Sequence, residues 1–120
     1  MYTLDNDLKL RERAASAFPA GMYGHQASGS VSPAHPQFFA RAEGCRLWDT
    51  DGNEYIDFMC GYGTNLLGYG HPKVEEAAAR QQAAIDCATG PSPLMLELAE
   101  TFNAKLAHAT WTMFAKNGTD

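Results

Sequence analysis

Cysteine, positive charge and long apolar runs are all scarce in this sequence of 120 residues. The three cysteines, Cys45, Cys60 and Cys87, are odd in number and form no CxxC pair. That pattern argues against a disulfide framework or a metal site and favours a reducing cytoplasm. No run of about 18 apolar residues exists, so no membrane span is expected. Nine scattered basic residues against 14 acidic ones give a net charge of −5, which excludes a typical nucleic-acid surface.

Apolar spacing and turn residues predict a helix followed by a small sheet. The helix covers residues 5–17, with Asn6 or Asp7 as its cap, and it ends at Pro19. Residues 19–36, rich in Gly, Ser and Pro, form a long irregular segment of a kind that is usually functional or part of an interface. Three strands of an antiparallel meander follow at 38–42, 45–49 and 55–58, with Asp51-Gly52 as a hairpin turn.

The pattern in the second half of the chain predicts an α/β fold. Helices are predicted at 73–86 and 92–107, followed by an apolar strand at 111–115. Such a strand is typical of a parallel sheet buried on both faces, and its partner strands are not in this sequence. We therefore expect the front part of a larger α/β protein. Its first portion is expected at 1–72, and the start of a large α/β domain at 73–120.

The segment Lys116-Asn117-Gly118-Thr119-Asp120 lies where this strand would lead into a helix. Backbone N–H groups at a helix N-terminus are unpaired and attract anions. A glycine lets an anion approach the backbone, and a threonine hydroxyl adds a donor, so the loop is a candidate phosphate site. The alternative is a plain turn with a helix cap.

Three motifs in a fixed order carry a family resemblance: DTDGNEYIDF at 49–58, LGYGHP at 67–72 and NGTD at 117–120. Together they resemble the N-terminal part of the class III aminotransferases, which are pyridoxal-phosphate enzymes of fold type I, and especially glutamate-1-semialdehyde aminomutase and its relatives. The resemblance covers nearly the whole chain from about Phe18 onward. It implies the N-terminal segment of such a fold, with a leading helix, a meander, two helices and the first strand of the large-domain sheet.

The resemblance also implies roles for individual residues. Asn117, Gly118 and Thr119 would hold the phosphate of pyridoxal 5'-phosphate, with Asn117 in place of the family's serine. Tyr62 and Tyr23 would lie on the substrate side, although Tyr62 could instead merely pack its glycine-rich loop. No catalytic residue is expected within this chain, because the lysine that forms the Schiff base lies well beyond Asp120 in the family.

One departure bears on the substrate. Ala27 stands where the aminomutase has an arginine for the substrate carboxylate, and its loss removes a bidentate partner. We therefore expect a transaminase that moves an amino group between an amine or amino acid and a keto acid such as pyruvate. The combination of MYGH at 22–25, PQFF at 36–39, GPS at 90–92 and KNGTD at 116–120 also resembles transaminases that act on long-chain amino-polyols, such as the fumonisin-degrading type. The resemblance further implies a cytoplasmic homodimer that acts on small molecules.

Three alternatives stay open. The first is an isomerase of the glutamate-1-semialdehyde 2,1-aminomutase type. The second is a non-catalytic, truncated interaction module that uses the same hairpin. A small nucleotide-binding α/β protein ranks last, because the sequence has neither GxGxxG nor a Walker loop.

Overall fold

The computed structural model describes residues 2–24, 26–86 and 88–115. Its internal contacts divide the chain into two compact units, Met1–Glu75 and Glu76–Asp120. The domain division expected from the sequence, after residue 72, stays a prediction. The first unit contains the leading helix, the sheet and the irregular segments around them.

Helix α1 (Asp5–Ala17) has the bounds that the sequence predicts, but its N-terminus is capped from elsewhere. Neither Asn6 nor Asp7 caps it, which corrects that expectation. Instead the Asp51 carboxylate accepts the backbone N–H groups of Asn6 at 2.8 Å and Asp7 at 2.9 Å. A carboxylate here satisfies two free donors and complements the helix dipole. The hairpin turn therefore holds the start of α1.

The predicted meander is confirmed, with bounds that shift by one to two residues. Strands β1 (Phe39–Glu43), β2 (Arg46–Asp49) and β3 (Glu54–Ile56) form an antiparallel sheet in the order β1-β2-β3. A bulge interrupts the β1–β2 pairing between Phe39 and Arg41. The predicted Asp51-Gly52 turn connects β2 to β3, and Gly52 has a φ of +84° that glycine tolerates without strain.

A buried carboxylate, Asp49, organises that hairpin. It is 2% exposed and accepts the backbone N–H groups of Asp51 and Asn53, the Asn53 side-chain amide and the Tyr55 hydroxyl. Burial alone would raise the pKa of Asp49, but the hydrogen bonds outweigh it and hold that pKa below its ordinary value. The pKa of Tyr55 is raised, first by burial and then by its bond to Asp49. The hairpin therefore depends on an ionised Asp49.

The remaining helices are α2 (Cys60–Gly63), α3 (Pro72–Ala84) and α4 (Pro93–Lys105). The two long ones were predicted, and their ends lie within two residues of the expected positions. Residues 111–115 form neither helix nor strand, which corrects the predicted strand, and Trp111 is 72% exposed. A strand requires hydrogen bonds to a neighbour, and the described strands β1 to β3 pair with each other.

Candidate functional site

A cavity of about 390 Å³ lies between the irregular segment after α1, the start of β1 and the α2 turn. Met22, Val31 and Met59 give it apolar walls, and the predicted substrate residues Tyr23 and Tyr62 both line it. We call it the Tyr62 pocket. The structure therefore brings together two residues that are far apart in sequence, whereas their role in substrate binding stays a prediction.

The α2 turn that carries Tyr62 has a left-handed backbone. Cys60, Gly61, Tyr62 and Gly63 have φ values of +50°, +55°, +57° and +92°. For a residue other than glycine this conformation costs about 1–2 kcal/mol, so Cys60 and Tyr62 are both strained. A Cβ atom on Gly61 would lie 2.6 Å from the Thr64 Oγ1 atom, which explains the glycine. Strain of this kind persists only where surrounding contacts impose it, and it is common at functional sites.

Asp57 supplies those contacts. Its Oδ1 atom accepts the backbone N–H groups of Met59 at 2.8 Å and Cys60 at 3.2 Å, and its Oδ2 atom accepts the Tyr69 hydroxyl at 2.8 Å. Tyr69 is itself held by two backbone hydrogen bonds with Gly44. The Tyr69 hydroxyl is the main cause that lowers the pKa of Asp57, and the same bond raises the pKa of Tyr69. An ionised Asp57 thus fixes the entry into the strained turn.

A hydrogen bond joins Tyr62 to the opposite wall of the pocket. The Gln26 side-chain amide donates to the Tyr62 hydroxyl at 3.3 Å. Gln26 is half-buried, whereas Tyr62 is 72% exposed. The contact links the irregular segment after α1 to the α2 turn, and it makes Gln26 and Tyr62 one polar pair at the pocket.

The wall that contains Gln37 is anchored by a buried aspartate. Asp7, fully buried on α1, accepts the backbone N–H groups of Gln37 and Phe38, each at 2.8 Å, through one carboxylate oxygen. Its other oxygen forms an ion pair with Arg11 at 2.6 Å. The Gln37 side chain is also engaged at both ends, because it accepts from the Ser28 hydroxyl and donates to a backbone carbonyl. This wall is therefore fixed by the protein itself.

No lysine or arginine occurs among the described residues that line the Tyr62 pocket. The lysines in the described ranges are Lys9, Lys73 and Lys105, and none of them lines the pocket. The predicted phosphate-binding residues Asn117, Gly118 and Thr119 lie outside the described residues. None of the described residues that line the pocket therefore carries an amine that could bond covalently to a cofactor.

Within residues 2–24, 26–86 and 88–115 there is no group of three or more His, Cys, Asp or Glu side chains that could hold a metal ion. None of the helices in those ranges is long and apolar enough to cross a membrane.

Several residues at this site carry no signal in the sequence. The sequence predicts no site role for Gln26 or Asp57 and predicts Asp7 only as a helix cap, because their partners lie 36, 12 and about 30 residues away. Asp57 follows β3 inside the DTDGNEYIDF motif, and this position at the end of a strand indicates a role in the segment that comes next. For Gln26 and Asp7 the sequence offers no such indication.

Comparison with known proteins places the chain in a class of enzymes. The family model "Aminotransferase class-III" matches residues 27–120. The chain therefore belongs to the class-III aminotransferase family. The resemblance based on the hairpin and LGYGHP motifs is thereby confirmed, as is the fold class.

Individual relatives show how similar this chain is to particular members of the family. The chain is 52% identical to the aminopentol aminotransferase of Sphingopyxis macrogoltabida over 92% of its own length and 26% of the relative's. It is 33% identical to glutamate-1-semialdehyde 2,1-aminomutase of Leptothrix cholodnii, over 98% of this chain and 27% of that protein. The PLP internal aldimine form of the FumI protein from Sphingopyxis sp. MTA144 superposes with a TM-score of 0.88 at 50% identity, covering 94% of this chain and 27% of that one. The chain thus spans about a quarter of the length of these relatives.

Proposed function

We propose that the full-length protein is a pyridoxal-phosphate-dependent aminotransferase that moves an amino group from an amine or amino acid to a keto acid such as pyruvate. Asn117, Gly118 and Thr119 are the proposed phosphate ligands, with Tyr62 and Tyr23 on the substrate side. When bound, the cofactor supplies the carbonyl that takes up the amino group and the electron sink for proton removal. The residues of this chain bind and orient the substrate.

The observation that carries the proposal is the absence of lysine and arginine from the described lining of the Tyr62 pocket in a class-III chain. That lining offers phenol, amide, hydroxyl, imidazole and apolar groups but no guanidinium or ammonium. Ala27 follows directly after the pocket residue Gln26 and likewise provides no cation. A carboxylate placed here would lack the bidentate partner that such groups favour. The lining therefore favours a neutral amine chain as donor.

The choice between transaminase and isomerase rests on the relative similarity of the chain to the two kinds of enzyme. The relative with higher identity is named an aminopentol aminotransferase, and this name indicates an amine that bears several hydroxyl groups. The aminomutase relative is less similar, at 33% identity. We propose the amino-polyol class of donor ahead of glutamate-1-semialdehyde. The proposed assembly is a cytoplasmic homodimer, with the segments at 19–36 and 87–93 as contributors to its interface.

The test uses the full-length protein loaded with pyridoxal phosphate. It is incubated with pyruvate and a panel of amines that includes an amino-polyol, and alanine formation is measured. We expect alanine with neutral amines. Conversion of glutamate-1-semialdehyde without any keto acid would establish the isomerase instead, and failure to transfer an amino group from any donor would favour the interaction module.

A matched control uses the 120-residue chain alone. Treated with pyridoxal phosphate and then borohydride, it should gain no stable covalent label, because none of the described lysines lines the pocket. A stable, stoichiometric label would contradict the expectation that the Schiff-base lysine lies elsewhere in the full-length protein.

A further inference from the structure

The polar side chains of the Tyr62 pocket differ in whether their hydrogen-bonding atoms have partners among the described residues. The Gln37 amide is engaged at both its oxygen and its nitrogen. The His35 Nδ1 atom lies 2.7 Å from the Pro36 carbonyl oxygen. The Gln37 oxygen and nitrogen and the His35 Nδ1 atom each have a partner within the protein.

Gln26 and Tyr62 each keep a hydrogen-bonding group that has no partner among the described residues. The Gln26 amide donates to the Tyr62 hydroxyl, so the phenol oxygen is occupied as an acceptor while its own proton has no acceptor among the described residues. The Gln26 Oε1 atom likewise accepts no hydrogen bond from the part of the chain that the structure describes. Rotation of the amide would exchange the two roles. In either orientation the pair presents at least one donor and one acceptor to the pocket.

One donor beside one acceptor is the complement of an alcohol, which accepts and donates through a single oxygen. A carboxylate only accepts and would leave the acceptor of the pair without a partner, and an ammonium only donates and would leave the donor without one. The neighbouring apolar walls, from Met22, Val31 and Met59, suit an aliphatic chain on either side of that alcohol. The pair is also held in place, because Asp57 fixes the α2 turn that carries Tyr62.

We infer that Gln26 and Tyr62 together determine specificity by binding a neutral hydroxyl group on the chain of the amine donor. This inference rests on the proposed transaminase function and adds to it the residues that distinguish a hydroxylated amine from its deoxy analogue. Neither residue forms or breaks a bond. Gln26 acts by binding the hydroxyl and by orienting the Tyr62 phenol.

The experiment measures kcat/KM of the full-length holoenzyme, with pyruvate as acceptor, for two matched amines. One is an aliphatic amine with a hydroxyl on the carbon next to the amine-bearing carbon, and the other lacks only that hydroxyl. The wild-type enzyme should prefer the hydroxylated amine by about tenfold or more. Gln26→Leu and Tyr62→Phe should each reduce the preference to about twofold or less, by slowing the hydroxylated amine while the deoxy amine changes little.

The double variant should lose no more preference than either single variant, because the two side chains act as one unit. Gln82→Leu on the exposed face of α3 and Tyr2→Phe outside the pocket are matched controls, and both should keep the wild-type preference.

Two results would overturn the inference alone: a wild-type enzyme that transaminates both amines equally well, or variants that slow both amines to the same degree. If the wild-type enzyme transfers an amino group from neither amine nor any other donor, the proposed function fails, and this inference fails with it.

Discussion

Asp7 is the residue whose replacement should most damage the wall of the Tyr62 pocket. It is fully buried, and its carboxylate holds two backbone N–H groups, of Gln37 and Phe38, together with the Arg11 side chain. Asp7→Ala would leave both amides without their acceptor, at about 1–3 kcal/mol each. It would also leave Arg11, only 16% exposed, without its counter-charge. Removal of one partner of a buried pair typically costs about 3–5 kcal/mol.

These contributions overlap, because one carboxylate makes all of the contacts. We therefore expect a total loss of about 3–5 kcal/mol in local stability rather than the sum. A loss of that size increases the opening equilibrium of the segment by on the order of 100-fold or more. Asp7→Asn keeps one oxygen for the two amides but places an N–H donor against Arg11, so it should fall between Asp7→Ala and the wild type.

The assay is hydrogen–deuterium exchange at the backbone amides of Gln37 and Phe38, supported by thermal unfolding of the same variants. Exchange at these amides reports the local opening directly, whatever the cooperativity of the whole protein. Asp5→Ala is the matched control: Asp5 lies in the same helical turn but is exposed, so its loss should change stability by less than about 1 kcal/mol. Protection factors in Asp7→Ala that stay within about threefold of the wild type would refute this reasoning.

Three other predictions follow from the geometry of the first unit. The pKa values of Asp49 and Asp57 are lowered in the folded state, so their stabilisation is present above the ordinary value of 3.8 and is lost as the pH falls through the lowered values. Circular dichroism should show acid unfolding in that window, and unchanged stability down to about pH 2 would contradict it. Gly68→Ala should lower the free energy of unfolding, measured by chemical denaturation, by about 2–4 kcal/mol, because φ is +81° and the new Cβ would lie 2.8 Å from the Gly44 carbonyl oxygen. In the control Gly29→Ala the new Cβ meets nothing within 4 Å, so that variant should be nearly neutral. Asp57→Ala should lower kcat/KM of the proposed transamination by the full-length protein by about 10- to 100-fold, because the α2 turn would be misplaced. Asp57→Asn keeps the acceptor for the turn amides and should recover most of that loss. Equal losses in both variants would show that the charge matters more than the position of the turn.

Much of the fold could be predicted because the patterns are local. The bounds of α1 follow from apolar spacing over consecutive turns and from Pro19 after its end. The Asp51-Gly52 pair selects a hairpin between two short strands for the same local reason. The strand expected at 111–115 was wrong for this structure, because a strand needs hydrogen-bond partners that periodicity alone does not provide.

The sequence by itself determined the order of α1, the three strands, α3 and α4, together with the hairpin and, through its motifs, the family. It also indicated Tyr62 and Tyr23 as a candidate pair, and the tertiary structure placed both beside one cavity. Only the tertiary structure decided that Asp51 caps α1 and that Asp7 holds the segment before β1. It alone paired Gln26 with Tyr62. A turn or a helix depends on neighbours a few residues away, whereas the partner of a carboxylate or an amide depends on where the chain returns in space.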